Sequence, residues 1–328
     1  MTTKNEVLKI LEENRGRVLS GQTIGNMLKI SRNSVWKAVK SLQKEGFSIL
    51  SQGNSGYYLP NNSNSLTKEG IEVNLHESYS NIPIFVFEET DSTNEVAKRV
   101  IAENISSPVV IAANSQTNGK GRLGRKFFSP ANSGIYMSIA FKPHIPFSKN
   151  FLMTTAAAVA VCRAIESITN CEAKIKWVND IFCGGKKACG ILAEGISTLE
   201  TGELEWGIIG IGINCFDPEA GFPAEIKETA CAISQNGIGS FNRNLLIARI
   251  VEEYFNIWSN LDSSNFMDEY KSRSLILKKK INVIKNPMAQ SELLPATALA
   301  INDDGSLFVE YEDGRRENLI AGEISLKL

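Results

Sequence analysis

The chain has 328 residues, 43% hydrophobic and 22% charged, with a formal net charge of −1. That balance suits a globular protein of two or three domains and excludes a disordered chain. Six cysteines lie between Cys162 and Cys231 with no C-x-x-C pair, and the two histidines, His76 and His144, stand far apart. Zinc sites, a disulfide framework, Ser-His-Asp triads and protein kinases are thereby disfavoured, and reduced thiols are expected. The longest run of small apolar residues, 154–162, is too short for a bilayer, and residues 1–6 have no signal-peptide character. The expectation is a cytoplasmic protein with no membrane partner.

The near-neutral total hides an asymmetry. Residues 1–60 hold nine Lys or Arg against four Asp or Glu, and no acid falls between Asn14 and Lys44. A basic module on an acidic body suggests nucleic-acid contact at one end, although a solvated basic face has the same composition. Apolar spacing predicts three short helices, carried by Val7, Ile10 and Leu11, by Ile24, Met27 and Leu28, and by Val35, Ala38, Val39 and Leu42. Ser20 and Ser31 are the expected N-caps, and the short link at residues 29–31 fits a helix-turn-helix. With the apolar side inward, Arg32, Asn33, Trp36, Lys37 and Lys40 face out. Together with Ser31 and Ser34 they form the candidate DNA-binding surface. Residues 47–59 read as strand, turn and strand, a wing. Winged helices also serve as protein-contact modules. Residues 61–66 are polar and read as a linker.

From 67 to 270, strand and helix patterns alternate. Strands are expected over 82–87, 109–113, 135–141, 174–178, 188–194 and 205–213, and helices after Asp91, over 148–168 and over 245–260. Ser92 and Glu95 have capping-box spacing. Residues 271–328 change to short β runs broken by Asp304-Gly305 and Asp313-Gly314 turns.

Gly119-Lys120-Gly121-Arg122-Leu123-Gly124-Arg125-Lys126 matches G-x-G-x-x-G literally. It fails as a dinucleotide loop, because Phe127-Phe128-Ser129-Pro130 follows in place of a helix and residues 104–165 contain no acid. It fails as a Walker A loop too, with Asn114 at the first glycine position and Gly121 after Lys120. Three glycines and four cations predict an anion-binding loop, mobile until the anion arrives; an exposed basic turn is the alternative. Lys176-Trp177-Val178-Asn179-Asp180 closes a strand, and Lys187 follows the Gly184-Gly185 turn, where one ammonium can hold a carboxylate and an α-phosphate together. Asp180 fits either Mg²⁺ coordination or a turn cap. Gly210-Ile211-Gly212-Ile213-Asn214 permits close ligand approach, and Asn214 either bonds a phosphate or ribose or ends the strand.

Taken in order, Asp91-Ser92-Thr93-Asn94, Gln116 with the glycine-basic loop, Lys176 to Asp180, Lys187-Ala188-Cys189-Gly190-Ile191-Leu192 and Gly210 to Asn214 resemble the biotin protein ligases. With a winged helix in front and a small β domain behind, the whole chain is similar to the bifunctional ligases that also repress the biotin operon. The resemblance implies an α+β fold: a mixed α/β, class II synthetase-like catalytic domain with a central mixed sheet (67–270), an N-terminal winged helix-turn-helix (1–60) and a C-terminal SH3-like small β-barrel (271–328). It implies that the carboxylate of biotin attacks the α-phosphate of ATP, and that a lysine of a biotin carboxyl carrier protein then takes the biotinyl group. An ionised nucleophile needs no general base, which suits a chain with two histidines.

Carried over residue by residue, Ser92, Thr93, Asn94 and Gln116 would bind the ring of biotin, and Lys120, Gly121 and Arg122 its carboxylate and the phosphates. Lys187 would bridge carboxylate and α-phosphate, making Lys187, Arg122 and Lys120 the implied catalytic cations. Arg125, Lys176, Asn179, Asp180 and Asn214 would place ATP, with Asp180 the implied Mg²⁺ ligand. Implied partners are the carrier protein, operator DNA and a second copy of the chain. A ligand-sensing repressor without ligase activity and a lipoate-type ligase are the alternatives. Three positions depart from the family pattern: Lys120 replaces a frequent Arg, Phe127 a frequent Trp, and Val178 a common Pro. None removes a required charge.

Overall fold

The computed structural model describes residues 2–53, 55–105, 107–197, 203–234, 241–261, 265–284, 293–320 and 323–326. Helices α1 (Thr3–Glu13), α2 (Gly21–Leu28) and α3 (Arg32–Lys44) form the head. Their buried faces, Val7 and Leu11, Ile24, and Val35, Val39 and Leu42, make a core of their own. The Ser20 hydroxyl accepts the Thr23 N–H at 2.9 Å and the Ser31 hydroxyl accepts the Ser34 N–H at 3.1 Å, the two expected caps. The wing pairs β1 (Leu50–Ser51) with β2 (Tyr57–Tyr58), and Tyr57 exchanges two backbone bonds of 2.9 Å with Leu19. Gly56, at φ 146°, closes this wing because a Cβ there would collide with the Leu19 carbonyl.

Residues 61–66 are seated rather than loose. Arg15 donates to the Ser63 carbonyl at 2.8 Å, and the Asn244 side chain binds the Ser65 carbonyl and the Thr67 N–H, both at 3.0 Å. Arg243, only 1% exposed, donates to the Asn64 carbonyl at 2.6 Å, to Asn114 Oδ1 at 3.0 Å and to the Gly134 carbonyl at 2.7 Å. The Ser63, Asn64 and Ser65 carbonyls of the strap are thereby satisfied by head and body, whereas the Ser63 hydroxyl is buried without a partner.

The body runs α4 (Lys68–Asn74), β3 (Ile84–Thr90), α5 (Thr93–Ala102), β4 (Val109–Gln116), β5 (Gly134–Phe141), α6 (Phe151–Ile168), β6 (Ala173–Lys176), β7 (Asp180–Cys183), β8 (Lys186–Ser197), β9 (Leu204–Asn214), α7 (Arg243–Trp258) and α8 (Phe266–Ser272). One sheet takes the order β3-β4-β5-β9-β8-β7-β6, with β3 and β4 parallel and every other pair antiparallel. This is the expected mixed sheet. Strand β5 is buried on both faces, with α6 and α7 packed into the large core and α5 into a second cluster around Ile111, Ala140 and Ile208. Within the 22-residue segment Phe147–Ile168 an 18-residue window reaches mean hydropathy 1.5, enough by length and composition for a bilayer. That corrects the shorter apolar run read from sequence, and this segment is mostly buried in the body as a core helix.

The tail forms a five-stranded antiparallel sheet, β13-β12-β11-β10-β14, from β10 (Lys280–Ile284), β11 (Leu293–Ile301), β12 (Leu307–Tyr311), β13 (Arg316–Leu319) and β14 (Glu323–Leu326). Among the described residues β13 and β14 are its unpaired edges, so it is described as a sheet rather than a closed barrel. Ile175 bonds to Arg273 and Leu275 through the backbone, which fastens the segment after α8 to β6. Cys171 and Cys183 form a disulfide, correcting the expectation that all thiols are reduced. The β6–β7 hairpin sets Ala173 opposite Cys183 and brings Cys171 to 6.0 Å between Cα atoms, a pairing in space that the spacing of the cysteines did not announce.

Candidate active site

A cavity of about 630 Å³ opens on the face of the sheet where α5, the glycine-basic loop and the β7–β8 turn meet. Its polar end is built at the start of α5. The expected capping box is absent: Ser92 makes no side-chain cap bond, and Glu95 turns away to Lys98 and Lys120. The Asp91 carboxylate instead accepts the Ser92 N–H at 2.8 Å and pairs with Arg99, whose guanidinium drives its carboxyl well below the usual range. The Thr93 N–H donates to Gln116 Oε1 at 2.9 Å, and Gln116 Nε2 donates to the Ser129 hydroxyl at 2.9 Å. The Ser138 hydroxyl lies 2.8 Å from Thr93 Oγ1 and 2.6 Å from Asn94 Oδ1. Thr93 and Asn94 are buried yet line the cavity with the half-buried Gln116, while Ser129 and Ser138 are buried outside its lining, so the amides and hydroxyls form a pre-set array of donors and acceptors.

The glycine-basic loop folds as a small hairpin. The Phe127 N–H donates to the Gly119 carbonyl at 2.9 Å and the Gly121 N–H to the Arg125 carbonyl at 2.7 Å. Leu123 and Gly124 take positive φ at the tip, 58° and 74°. Arg122 reaches Asn179 Oδ1 at 3.0 Å, and Asn179 is fixed in turn by its side-chain bond to the Ile191 carbonyl at 2.9 Å. Lys187 Nζ sits 2.7 Å from Asp180 Oδ1 on the opposite wall. Lys176 lies over the Phe182 ring. Lys120, Arg122, Arg125, Lys126, Lys176 and Lys187 line the cavity against two acids, Asp180 and Glu228, a surplus suited to an anionic ligand.

The structure therefore gathers Ser92, Thr93, Asn94, Gln116, Lys120, Gly121, Arg122, Arg125, Lys176, Asn179, Asp180 and Lys187 around one space. Asn214 is not among its lining residues; it sits at the end of β9 opposite Gly134. Gly210 and Gly212 line the cavity. A Cβ on Gly212 would lie 2.5 Å from the Phe127 ring, and one on Gly210 would collide with Asn94 Oδ1, so both positions also admit the protein's own side chains. Phe127, which the sequence marked only as a departure from a frequent Trp, lines the cavity, and sequence reasoning missed Ile226, Thr229 and Ile324, which line it from segments without motifs. It also missed that the Trp177 indole N–H donates to the Gly305 carbonyl at 2.9 Å, pinning the tail to the cavity floor.

On the head, Ser31, Arg32, Asn33, Trp36, Lys37 and Lys40 are exposed along one side of α3, while Ser34 is half-buried beside the Ser31 cap. Among the described residues there is no cluster of three His, Cys, Asp or Glu side chains fit for a metal.

Comparison with known proteins matches residues 86–214 to the biotin/lipoate A/B protein ligase family and residues 3–58 to an HTH domain. The chain is 29% identical to the bifunctional ligase/repressor BirA of Bacillus subtilis, covering 95% of each. It is 27% identical to BirA of Escherichia coli, over 95% of this chain and 94% of that one. Among solved structures it is similar to the biotin protein ligase from Aquifex aeolicus in complex with biotin and ATP, at 25% identity and a TM-score of 0.61, covering 75% of this chain and 98% of that one. The match to the biotin/lipoate A/B protein ligase family thus lies at residues 86–214, set behind a match to an HTH domain at residues 3–58.

Proposed function

We propose that the protein is a biotin–[biotin carboxyl carrier protein] ligase of the cytoplasm that also acts as a biotin-dependent repressor. The observation that carries the reading is one cavity with a neutral donor–acceptor array at one end and an excess of cations at the other. Ser92, Thr93, Asn94 and Gln116 match the needs of a cyclic urea, which presents both N–H and C=O groups. Lys120 and Arg122 then meet the carboxylate and phosphates, and Lys187 stands where the carboxylate oxygen attacks the α-phosphorus. The carboxylate is already ionised, so these side chains position it and neutralise charge as pyrophosphate leaves. No proton transfer is required of them. An acceptor lysine then attacks the mixed anhydride and AMP departs.

Mg²⁺ in this scheme enters with the ATP phosphates, and Asp180, one of two acids lining the cavity, would be its protein ligand. Entry of the nucleotide exchanges the Asp180–Lys187 pair for contacts to phosphate. Exposed cations and hydroxyls on α3 support duplex binding in a major groove, and two-fold pairing of chains would present two such helices to a palindrome. The similarity to bifunctional ligase/repressors over 95% of the chain supports both halves.

Biotin-dependent exchange of labelled pyrophosphate into ATP tests the ligase half. Exchange with biotin, none with lipoate, and a loss of at least about 100-fold in Lys187→Ala are expected, the size of a lost transition-state cation. Exchange with lipoate alone would make it a lipoate ligase, and exchange with neither acid would leave a ligand-sensing DNA-binding protein. For the repressor half, duplexes are selected from a random-sequence pool in the presence of biotin and ATP. Arg32→Glu with Lys37→Glu should abolish their binding and leave exchange intact.

A further inference from the structure

Lys120 is one of two ammoniums that the glycine-basic loop brings to the cavity, and it is already engaged. Its Nζ lies 2.7 Å from Oε1 of Glu95, a carboxylate on the first turn of α5 that stands outside the cavity lining. The same oxygen receives Lys98 Nζ at 2.9 Å, and Lys98 also reaches Glu194 Oε1 at 2.8 Å. The other oxygen of Glu194 accepts the Asn94 amide at 2.7 Å. Alternating charge thus runs from the loop through Glu95, Lys98 and Glu194 to the polar end of the cavity. Lys120 first and Lys98 second hold the Glu95 carboxyl below its ordinary range, so it is an anion at neutral pH.

Two features make the Lys120–Glu95 bond exchangeable. The side chains are 41% and 28% exposed, so water screens their attraction. Lys98 remains on Glu95 when Lys120 departs, so no carboxylate is left unpaired. An incoming carboxylate can therefore replace that of Glu95 at the Lys120 ammonium, like for like. A neutral analogue has nothing to offer in exchange.

We propose that Glu95 sets the affinity and charge selectivity of the site by competing with the ligand carboxylate for Lys120. The proposal rests on reading the cavity as an acid-activating site. It assigns to Glu95 a tuning role, while contact with the ligand stays with Lys120.

Glu95→Gln keeps the shape of the side chain and removes its charge. Biotin and its neutral primary amide are titrated calorimetrically into wild type and variant without ATP, with pyrophosphate exchange measured in parallel. The variant should bind biotin about two- to fivefold more tightly, the worth of one exposed ion pair. Its KM for biotin should fall by the same factor with kcat within twofold, and the amide should bind equally to both proteins. In a Lys120→Ala background the Glu95 substitution should no longer change biotin affinity, which a general effect on folding would not reproduce. Equal or weaker biotin binding by Glu95→Gln, an equal gain for the amide, or a gain that persists without Lys120 overturns the proposal. Wild type that neither binds biotin nor supports exchange overturns the ligase reading together with this one, whereas wild-type exchange without a charge-selective gain overturns the role of Glu95 alone.

Discussion

Phe127 shows how much a single ring decides in this site. Its ring lies at 68° to that of Tyr136, with centroids 6.4 Å apart, and its atoms stand close to the positions where Gly190 and Gly212 would carry a Cβ. Its backbone also closes the glycine-basic hairpin on Gly119. A methyl group on Gly212 must push this ring, and the ring must push the loop. Gly212→Ala is expected to cost about 1–3 kcal/mol of strain, felt as a KM for biotin at least about fivefold higher and a lower melting temperature. Steady-state exchange kinetics beside a thermal melt checks both. The cations of the cavity were legible in the sequence because charge and glycine spacing name an anion site by themselves. Phe127 was not, because a ring close to glycines of two other strands is a contact that only the paired sheet creates. Ser92 and Glu95 misled for a related reason: their spacing fits a cap, but nearby lysines compete for the carboxylate and win.

Between elements, ion pairs fasten α6, α8 and the start of β6. Arg273 joins Glu166 at 2.8 Å and Glu269 at 2.9 Å, and Arg163 joins Glu269 at 2.6 Å. Burial opposes ionisation of Glu166 and Glu269, but the guanidiniums outweigh it and hold both carboxyls below the ordinary value of 4.5. A depressed folded-state value means stability that is present above the unfolded value and is lost as pH falls through the folded one. Arg273→Leu should therefore cost about 1–2 kcal/mol at pH 7, less than a fully buried pair because the groups are partly exposed. The gap in melting temperature between variant and wild type should narrow as the pH is taken from 7 to 3.5; a constant gap would mean that packing alone was lost. Long amphipathic helices such as α3 were readable from their apolar period. The four-residue β7 and the seven-residue α8 were not, since neither holds enough turns or alternations to stand out. Strand β3 runs past its expected end to Thr90 because Glu88 and Glu89 look like loop residues until β4 pairs with them.

Across the whole molecule, head and body share a polar seam. Glu12 of α1 is 5% exposed and Glu69 of α4 6%, with Arg15 bonded to Glu12 and to the strap at Ser63. Behind the strap, Arg243 ties Asn64 to Asn114, two residues before Gln116 on the same strand. A linker read from composition as a loose connection is held on both sides. The partners of its Ser63, Asn64 and Ser65 carbonyls are distant in sequence. On the reading of a biotin-dependent repressor, DNA and ligand then influence one another reciprocally. Biotin with ATP should raise the affinity for a selected duplex, and that duplex should raise the affinity for biotin by the same factor. Fluorescence anisotropy on the DNA and calorimetry on biotin give the two factors, and unequal values would rule out simple linkage. The same additions should shift the chain toward a dimer in sedimentation, the state in which two recognition helices can meet one palindrome.

The chain has four tryptophans, and two of them differ sharply in their access to water. Trp36 lies 48% exposed on the outer side of α3, whereas Trp177 is 4% exposed beneath the cavity and bonded to the tail. An indole in water emits to the red of a buried one and is open to collision with iodide. Fluorescence of the unlabelled protein therefore carries two separable signals. Shielding of the red component from iodide reports a duplex on the head, and a change in the blue component reports a nucleotide beside Lys176, so both halves of the function can be followed in one sample.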